Sequence, residues 1–76
     1  MSRWRRTFDF SDVFHDETIP VPKRRALIGA RLLSYDPELA YIADSMIAAK
    51  DDAEFNCAWD DFRDWADDNE VRVKIR

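Results

Sequence analysis

The feature that most constrains the fold is residues 55–69, FNCAWDDFRDWADDN, because the apolar and acidic residues of this stretch separate only on a helix. At 3.6 residues per turn, positions three and four apart share a face. The apolar members then form one stripe: Phe55, Ala58, Trp59, Phe62, Trp65 and Ala66. The aspartates fall mostly on the opposite face, beside Arg63. The pattern predicts an amphipathic helix with Trp59 and Phe62 at the centre of the core.

Length and composition indicate one small folded domain over residues 1–76. The chain is 46% hydrophobic and 13% aromatic and has one glycine, which argues against a disordered tail. Its single cysteine, Cys57, allows no internal disulfide, so a reducing compartment is expected. No signal-peptide pattern and no run of eighteen apolar residues occurs. We therefore expect a cytoplasmic protein without a membrane anchor.

Charge is divided along the chain. Residues 1–35 carry seven basic and four acidic residues, residues 36–70 carry two and twelve, and residues 71–76 carry three and none. If the basic ends meet in space, the fold has one basic edge and one acidic flank.

The two ends also predict strands. EVRVKIR alternates without exception, with Val71 and Val73 on one face and Arg72 and Lys74 on the other. Its only good partner is RWRRTFDF near the N-terminus. The fold class expected is therefore α+β, with three main helices packed on a two-stranded antiparallel sheet formed by the N- and C-terminal strands.

Between the strands, capping residues and prolines predict the helices. Ser11 is expected to cap a short helical turn, and a first main helix is expected over residues 22–34. Asp36, followed by a proline, is expected to cap the second, whose stripe contains Leu39, Ile42, Ala43 and Met46. Asp51 or Asp52 caps the third, which ends near Asn69, a residue tolerant of the left-handed conformation.

Three segments resemble a group of small, uncharacterised accessory proteins of actinobacterial bacteriophages: FDFSDVFHD, TIPVPKRR and AWDDFRDWADDNEVRVKI. The likeness covers most of the chain. It departs where such sequences more often carry an aromatic residue in the last strand, at Arg72 or Val73. The resemblance implies a phage accessory protein without a known catalytic role, and it supplies no functional residues.

The chemistry-bearing residues are too few to favour an enzyme. The chain has one histidine, His15, and one cysteine, and a buried or idle thiol is a better interpretation of Cys57 than a dyad with His15. The aspartates lack the glycine and the alternating spacing of a calcium loop. We expect no enzymatic activity, no metal and no cofactor.

Two functions that involve nucleic acid or its imitation compete with protein binding. Arginines and aromatic residues of the N-terminal segment could bind nucleic acid, although the helix that would enter the groove, over residues 38–49, has acids and no basic residue. The acidic helix could instead imitate a phosphate backbone and occupy a basic groove. Specific binding of nucleic acid is not expected.

Protein binding remains the favoured function, with a host protein as the expected partner. Ten aromatic rings are many for a domain of this size, and a ring left outside the core would anchor an interface. The candidate partner-binding residues are Trp4, Arg5, Asp60, Asp61, Asp64, Asp67 and Asp68. Unpaired strand edges and divided charge also favour a weak homodimer.

Overall fold

A computed structural model describes residues 3–76 as a small α+β fold. The elements are strand β1 (Arg6–Asp9), helices α1 (Ser11–Phe14), α2 (Val21–Tyr35), α3 (Ala40–Ala48) and α4 (Asp52–Asp68), and strand β2 (Val71–Lys74). A single 3₁₀ turn, Pro37–Leu39, leads into α3. The three main helices lie close to the predicted ranges, and residues 1 and 2 of the expected domain lie outside the described residues.

Asp51 caps the third main helix, as predicted, whereas Asp36 caps the 3₁₀ turn that precedes the second, and α3 itself begins after Leu39 without a side-chain cap. The Asp36 side chain accepts a hydrogen bond from the backbone N–H of Glu38 at 3.1 Å. The Asp51 carboxylate accepts one from the N–H of Glu54 at 2.9 Å. Asp51 is therefore the cap, and Asp52 is the first residue of α4. An N-terminal cap of this kind satisfies a backbone donor that has no partner within the helix.

Two local predictions are wrong. Ser11 does not cap α1 but is its first residue, and both its N–H and its hydroxyl donate to Asp9 Oδ1, at 2.9 and 2.6 Å. At the end of α4 the left-handed residue is Glu70, with φ 58°, whereas Asn69 has φ −105°. The backbone carbonyl of Glu70 accepts from the N–H of Arg5 at 2.7 Å, so pairing with the N-terminal segment fixes this position.

The strands pair as predicted, but they run parallel, so the antiparallel prediction is wrong. Arg6 is opposite Val71 and Asp9 is opposite Lys74, with both strands running the same way. The bonds that flank the pair agree with this register, because the N–H of Phe10 donates to the carbonyl of Lys74 at 2.8 Å. Parallel strands need a long crossover connection, and here the crossover contains all the helices.

The number of main helices explains the strand direction. Arg25, near the start of α2, reaches Asp52 at the start of α4, whereas Tyr35 at the end of α2 bonds to Asp9 in β1. The chain thus reverses at each long connection, from β1 into α2, then α3, then α4, then β2. The three main helices make four reversals, so the last strand runs in the direction of the first.

An aromatic cluster joins β1, α2 and α4. Phe62 is 0% exposed, and its ring centroid lies 5.8 Å from that of Phe10, 5.3 Å from that of Trp59 and 6.0 Å from that of Phe8. Eight of the ten rings belong to this cluster or pack against it: Phe8, Phe10, Phe14, Tyr35, Phe55, Trp59, Phe62 and Trp65. The predicted central position of Trp59 and Phe62 is confirmed.

Close packing of α2 on α3 depends on the one glycine. A Cβ atom at Gly29 would lie 2.8 Å from Ile47 Cγ1 and 2.9 Å from the backbone carbonyl oxygen of Ala43. The apolar stripe predicted for the second helix is buried: Leu39, Ile42, Ala43 and Met46. Ala43 and Met46 lie at the contact with Gly29. The absence of a side chain at Gly29 therefore allows the two helices to approach.

Replacing Phe62 with alanine is expected to lower the free energy of unfolding by about 3 to 5 kcal/mol, because the change removes a fully buried ring and leaves a cavity. Urea unfolding followed by circular dichroism measures it. Tyr41→Ala is the matched control: Tyr41 is 66% exposed, so its loss is expected to change stability by no more than about 0.5 kcal/mol. Equal losses in the two variants would contradict the position of Phe62 in the core.

Three carboxylates between the end of β1 and the start of α2 accept hydrogen bonds that lower their pKa values. The hydroxyl and N–H of Ser11 lower the pKa of Asp9 below its ordinary value of 3.8. Paired bonds from the Arg31 guanidinium, both 2.8 Å, lower the pKa of Asp12, and the hydroxyl and N–H of Thr18 lower the pKa of Asp16. The folded state therefore favours the ionised form of each of these three side chains.

The protein is therefore expected to lose stability as pH falls below about 4. The unfolded carboxylates take up protons near their ordinary value of 3.8, whereas the folded ones have a lower pKa, so acid favours the unfolded state. This contribution is present above the unfolded pKa and is lost as pH falls through the folded pKa. Urea unfolding between pH 2 and 6 measures it. Asp12→Asn should make the free energy of unfolding depend less steeply on pH. Ser34→Ala, on the exposed side of α2, should leave this pH dependence unchanged.

Candidate partner-binding surface

A cleft of about 390 Å³ lies between the second half of α4, the strand β2 and the N-terminal segment. We call it the Trp4 cleft. Its lining residues are Trp4, Arg63, Asp64, Ala66, Asp67, Val71, Arg72 and Val73. Trp4 is 38% exposed and Tyr41 is 66% exposed, and these are the two rings outside the aromatic cluster. Trp4 therefore presents an aromatic surface at a concave site.

Contacts with α4 position the N-terminal segment. The Arg3 guanidinium forms an ion pair with Asp67 and lies 4.3 Å from the centroid of the Trp4 ring, in a cation–π arrangement. Arg5 donates its backbone N–H to Glu70 and its Nε to the Glu70 carboxylate at 2.7 Å. These bonds hold Trp4 beside the start of β2, where it lines the cleft.

The outer edge of β2 is open. The carbonyls of Glu70 and Lys74 accept from the N–H groups of Arg5 and Phe10, the two residues that flank β1, at 2.7 and 2.8 Å. Backbone groups of successive residues in a strand point to opposite edges, so Val71 and Val73 direct their N–H and C=O groups away from β1. Within residues 3–76 no hydrogen bond to those groups is found. This edge borders the Trp4 cleft, which both valines line.

The outer edge of β1, by contrast, is covered by α2. The N–H of Asp9 donates to the Tyr35 hydroxyl at 3.0 Å, and Arg31 Nη1 donates to the Asp9 carbonyl at 3.0 Å. The sheet is therefore accessible to an added strand at β2 and blocked at β1 near Asp9.

Side chains of β2 make the outer face of the sheet basic. Arg72 and Lys74 are exposed, whereas Val71 is buried and Val73 is half-buried against the core. Lys74 is opposite Asp9 in register, and its charge contributes to the lowered pKa of Asp9 after the two hydrogen bonds from Ser11. The basic residues of the two chain ends therefore meet in this sheet.

The structure brings together only part of the predicted site. Trp4, Asp64 and Asp67 line the Trp4 cleft, whereas Arg5 and Asp68 line a neighbouring small polar cleft. The two remaining aspartates lie apart from both. Asp61 lines a third cleft, between α3 and α4, and Asp60 is exposed on α4. The five aspartates therefore do not form one acidic surface.

Sequence reasoning missed five residues of the cleft: Arg63, Ala66, Val71, Arg72 and Val73. The helical pattern places Arg63 among the aspartates and Ala66 in the core, and the last three belong to the C-terminal strand. Their alternation predicted a strand, but the location of its open edge depends on which side of β2 receives β1, and that choice leaves no signal in the spacing of residues.

The N-terminal arginines that could bind nucleic acid have acidic partners within the molecule. Arg3 pairs with Asp67, Arg5 with Glu70 at 2.7 Å, and Arg6 with Asp36 at 3.1 Å. Each would have to exchange a carboxylate for a phosphate to take part in binding, which weakens the nucleic-acid interpretation of this segment.

His15 and Cys57 lie at different helices. The ring of His15 contacts Phe14, whose ring packs on Trp59, whereas Cys57 is exposed in the cleft between α3 and α4. The Cys57 thiol is therefore exposed, and its interpretation as a buried thiol is wrong. In the described part of the chain, no cluster of three or more potential metal ligands occurs. No helix there has the length and hydropathy needed to cross a bilayer.

No family model, no curated protein and no solved structure matches this chain. The resemblance to phage proteins therefore stays a prediction, and the functional argument depends on the geometry of the Trp4 cleft and the β2 edge.

Amide hydrogen exchange is expected to alternate along β2. The amides of Arg72 and Lys74 face β1 and should exchange slowly, whereas the amide of Val73 faces the open edge and should exchange at least about tenfold faster, since exchange requires loss of the hydrogen bond. Exchange followed residue by residue by NMR measures this. Equal protection of all three amides would show that the outer edge is occupied, for example by a second copy.

Proposed function

We propose that this protein is a non-enzymatic accessory protein of phage type, which acts in the host bacterial cytoplasm by docking on a host protein. The observation that carries the proposal is the open edge of β2 beside an exposed tryptophan in a cleft. The resemblance of the sequence to phage proteins supports the phage context.

The chemistry of the Trp4 cleft suits recognition of a protein. Trp and Arg are enriched among residues that dominate binding energy at protein interfaces, and Trp4, Arg63 and Arg72 line this cleft together. The open edge adds backbone donors and acceptors, which an extended segment of a partner can satisfy. The cleft therefore offers an apolar anchor, two cations and directional hydrogen bonding at one site.

Nucleic-acid binding and phosphate imitation are supported less well. The N-terminal arginines are paired within the molecule, and the cations on β2 would give only weak, salt-sensitive attraction to a phosphate backbone. For imitation, the aspartates of α4 face different clefts, and Asp67 is paired with Arg3. A basic groove would meet only some of them.

Affinity capture with the immobilised full chain is the test. Nuclease-treated lysate of an actinobacterial host is passed over the wild type, over Trp4→Ala and over Tyr41→Ala, which removes the other exposed ring and serves as the control. We expect a host protein to be retained by the wild type and the control and to be reduced at least about tenfold with Trp4→Ala, as for loss of an interface anchor. Retention that survives Trp4→Ala, or that occurs in untreated lysate and is lost in the nuclease-treated lysate, would contradict the proposal.

A further inference from the structure

We propose that the open edge of β2 binds an extended acidic segment of the partner protein, which pairs with β2 as a third strand. This inference rests on the proposed function, because it specifies the chemistry of the partner at the same site.

The backbone of β2 is prepared for such pairing. The sheet already fixes the extended conformation of the strand through its bonds to β1. Val71 and Val73 direct two N–H groups and two carbonyls outward, and within the described residues these groups have no hydrogen-bonding partner. An added strand would satisfy them without any change of conformation, which is the geometry of strand addition at a sheet edge.

Charge selects an acidic segment. Along the added strand, alternate side chains would stand on the exposed face of the sheet, beside Arg72 and Lys74, with Arg76 just beyond the end of β2. Opposite charges on neighbouring strands attract, and like charges directly opposite repel. Glutamate or aspartate at every second position of the segment therefore complements β2, and lysine or arginine at the same positions opposes it.

The Trp4 cleft selects the remaining positions. Side chains that point to the other face of the added strand would enter the cleft, where Trp4 and Ala66 provide apolar surface and Arg63 and Asp64 provide polar groups. Residues of small or medium size fit a cleft of about 390 Å³. The complementary segment thus alternates acidic residues with residues such as valine and threonine.

A second copy of the chain fits this edge poorly. In an antiparallel pair of β2 strands related by a two-fold axis, opposite residues stand on the same face of the joined sheet. The exposed residues of β2 are Arg72 and Lys74, so a two-fold axis at residue 72 or 73 would place cations of one copy opposite cations of the other. The basic face therefore opposes the weak homodimer expected from the sequence, at this edge.

Fluorescence anisotropy with the full chain tests the inference. The probe is a fluorescein-labelled peptide, Glu-Thr-Glu-Val-Glu-Thr-amide. The controls are the same peptide with lysine in place of glutamate and a version with N-methylated backbone amides at alternate positions. We expect saturable binding of the acidic probe that weakens as salt rises, with binding of both control peptides at least about tenfold weaker.

Two variants of the protein separate the backbone from the charge. Val73→Pro removes an N–H that faces the open edge and leaves the bonds to β1 in place, because proline is tolerated where the missing donor faces outward. Arg72→Glu reverses the sign of the charge on the exposed face and leaves the backbone groups of β2 unchanged. Both variants should bind the acidic probe at least about tenfold more weakly than the wild type, and Arg72→Glu should bind the lysine peptide more tightly. Lys23→Glu, an exposed cation on α2, is the matched control and should bind like the wild type.

The results that overturn the inference are distinct from those that overturn the proposed function. Equal binding of the acidic and lysine peptides, or wild-type affinity in Arg72→Glu, overturns strand addition by an acidic segment. Sedimentation of the wild type as a dimer that dissociates in Val73→Pro also overturns it, because a second copy would then occupy the edge. If capture of a host protein is lost with Trp4→Ala while the acidic probe does not bind, the proposed function stands and the strand inference fails. If capture survives Trp4→Ala, the proposed function fails.

Discussion

Burial of Phe62 is the interaction on which the rest of the structure depends. A 76-residue chain without a disulfide can bury only a modest core, and this one concentrates its apolar surface in rings. Phe62 of α4 packs on Phe8 of β1 and on Phe10, which directly follows this strand, with centroids 6.0 and 5.8 Å away. The same contact that closes the core therefore fixes where the N-terminal strand lies, and β2 has to pair with β1 at the side that remains.

Strand direction and the open edge follow from this packing. Three main helices between the strands make the strands parallel, and the end of α2 then lies against β1, where Tyr35 and Arg31 bond to the backbone of Asp9. A two-stranded sheet always has two outer edges, and here one is covered by a helix of the same chain. The other edge belongs to β2, the strand with the most regular alternation of valine with arginine and lysine. The topology thus creates the candidate site.

The parts of the fold that depend on local chemistry could be predicted from the sequence. Helical spacing located the stripe around Trp59 and Phe62, and the capping aspartates located the start of the 3₁₀ turn at Asp36 and of α4 at Asp51. Strand direction could not be predicted, because alternation is the same whichever way a strand runs. Residue propensity favours Asn69 as the left-handed residue at the end of α4. The left-handed residue is Glu70, whose carbonyl is held by the N–H of Arg5. The dispersal of the aspartates over several clefts depends on where α3 and β2 pack.

The same packing determines which charges remain for a partner. The ion pairs Arg3–Asp67 and Arg5–Glu70 are solvent-exposed, and pairs of this kind contribute roughly 0 to 1 kcal/mol each. The N-terminal segment is therefore held mainly by backbone pairing, such as the bond from Arg5 to Glu70, while its arginines and the end of α4 neutralise one another locally. Arg72, across the strand from Thr7, faces no acidic residue in register. Within residues 3–76 no ion pair of Arg72 is found, so this cation is available to a partner beside the edge where the backbone is also open.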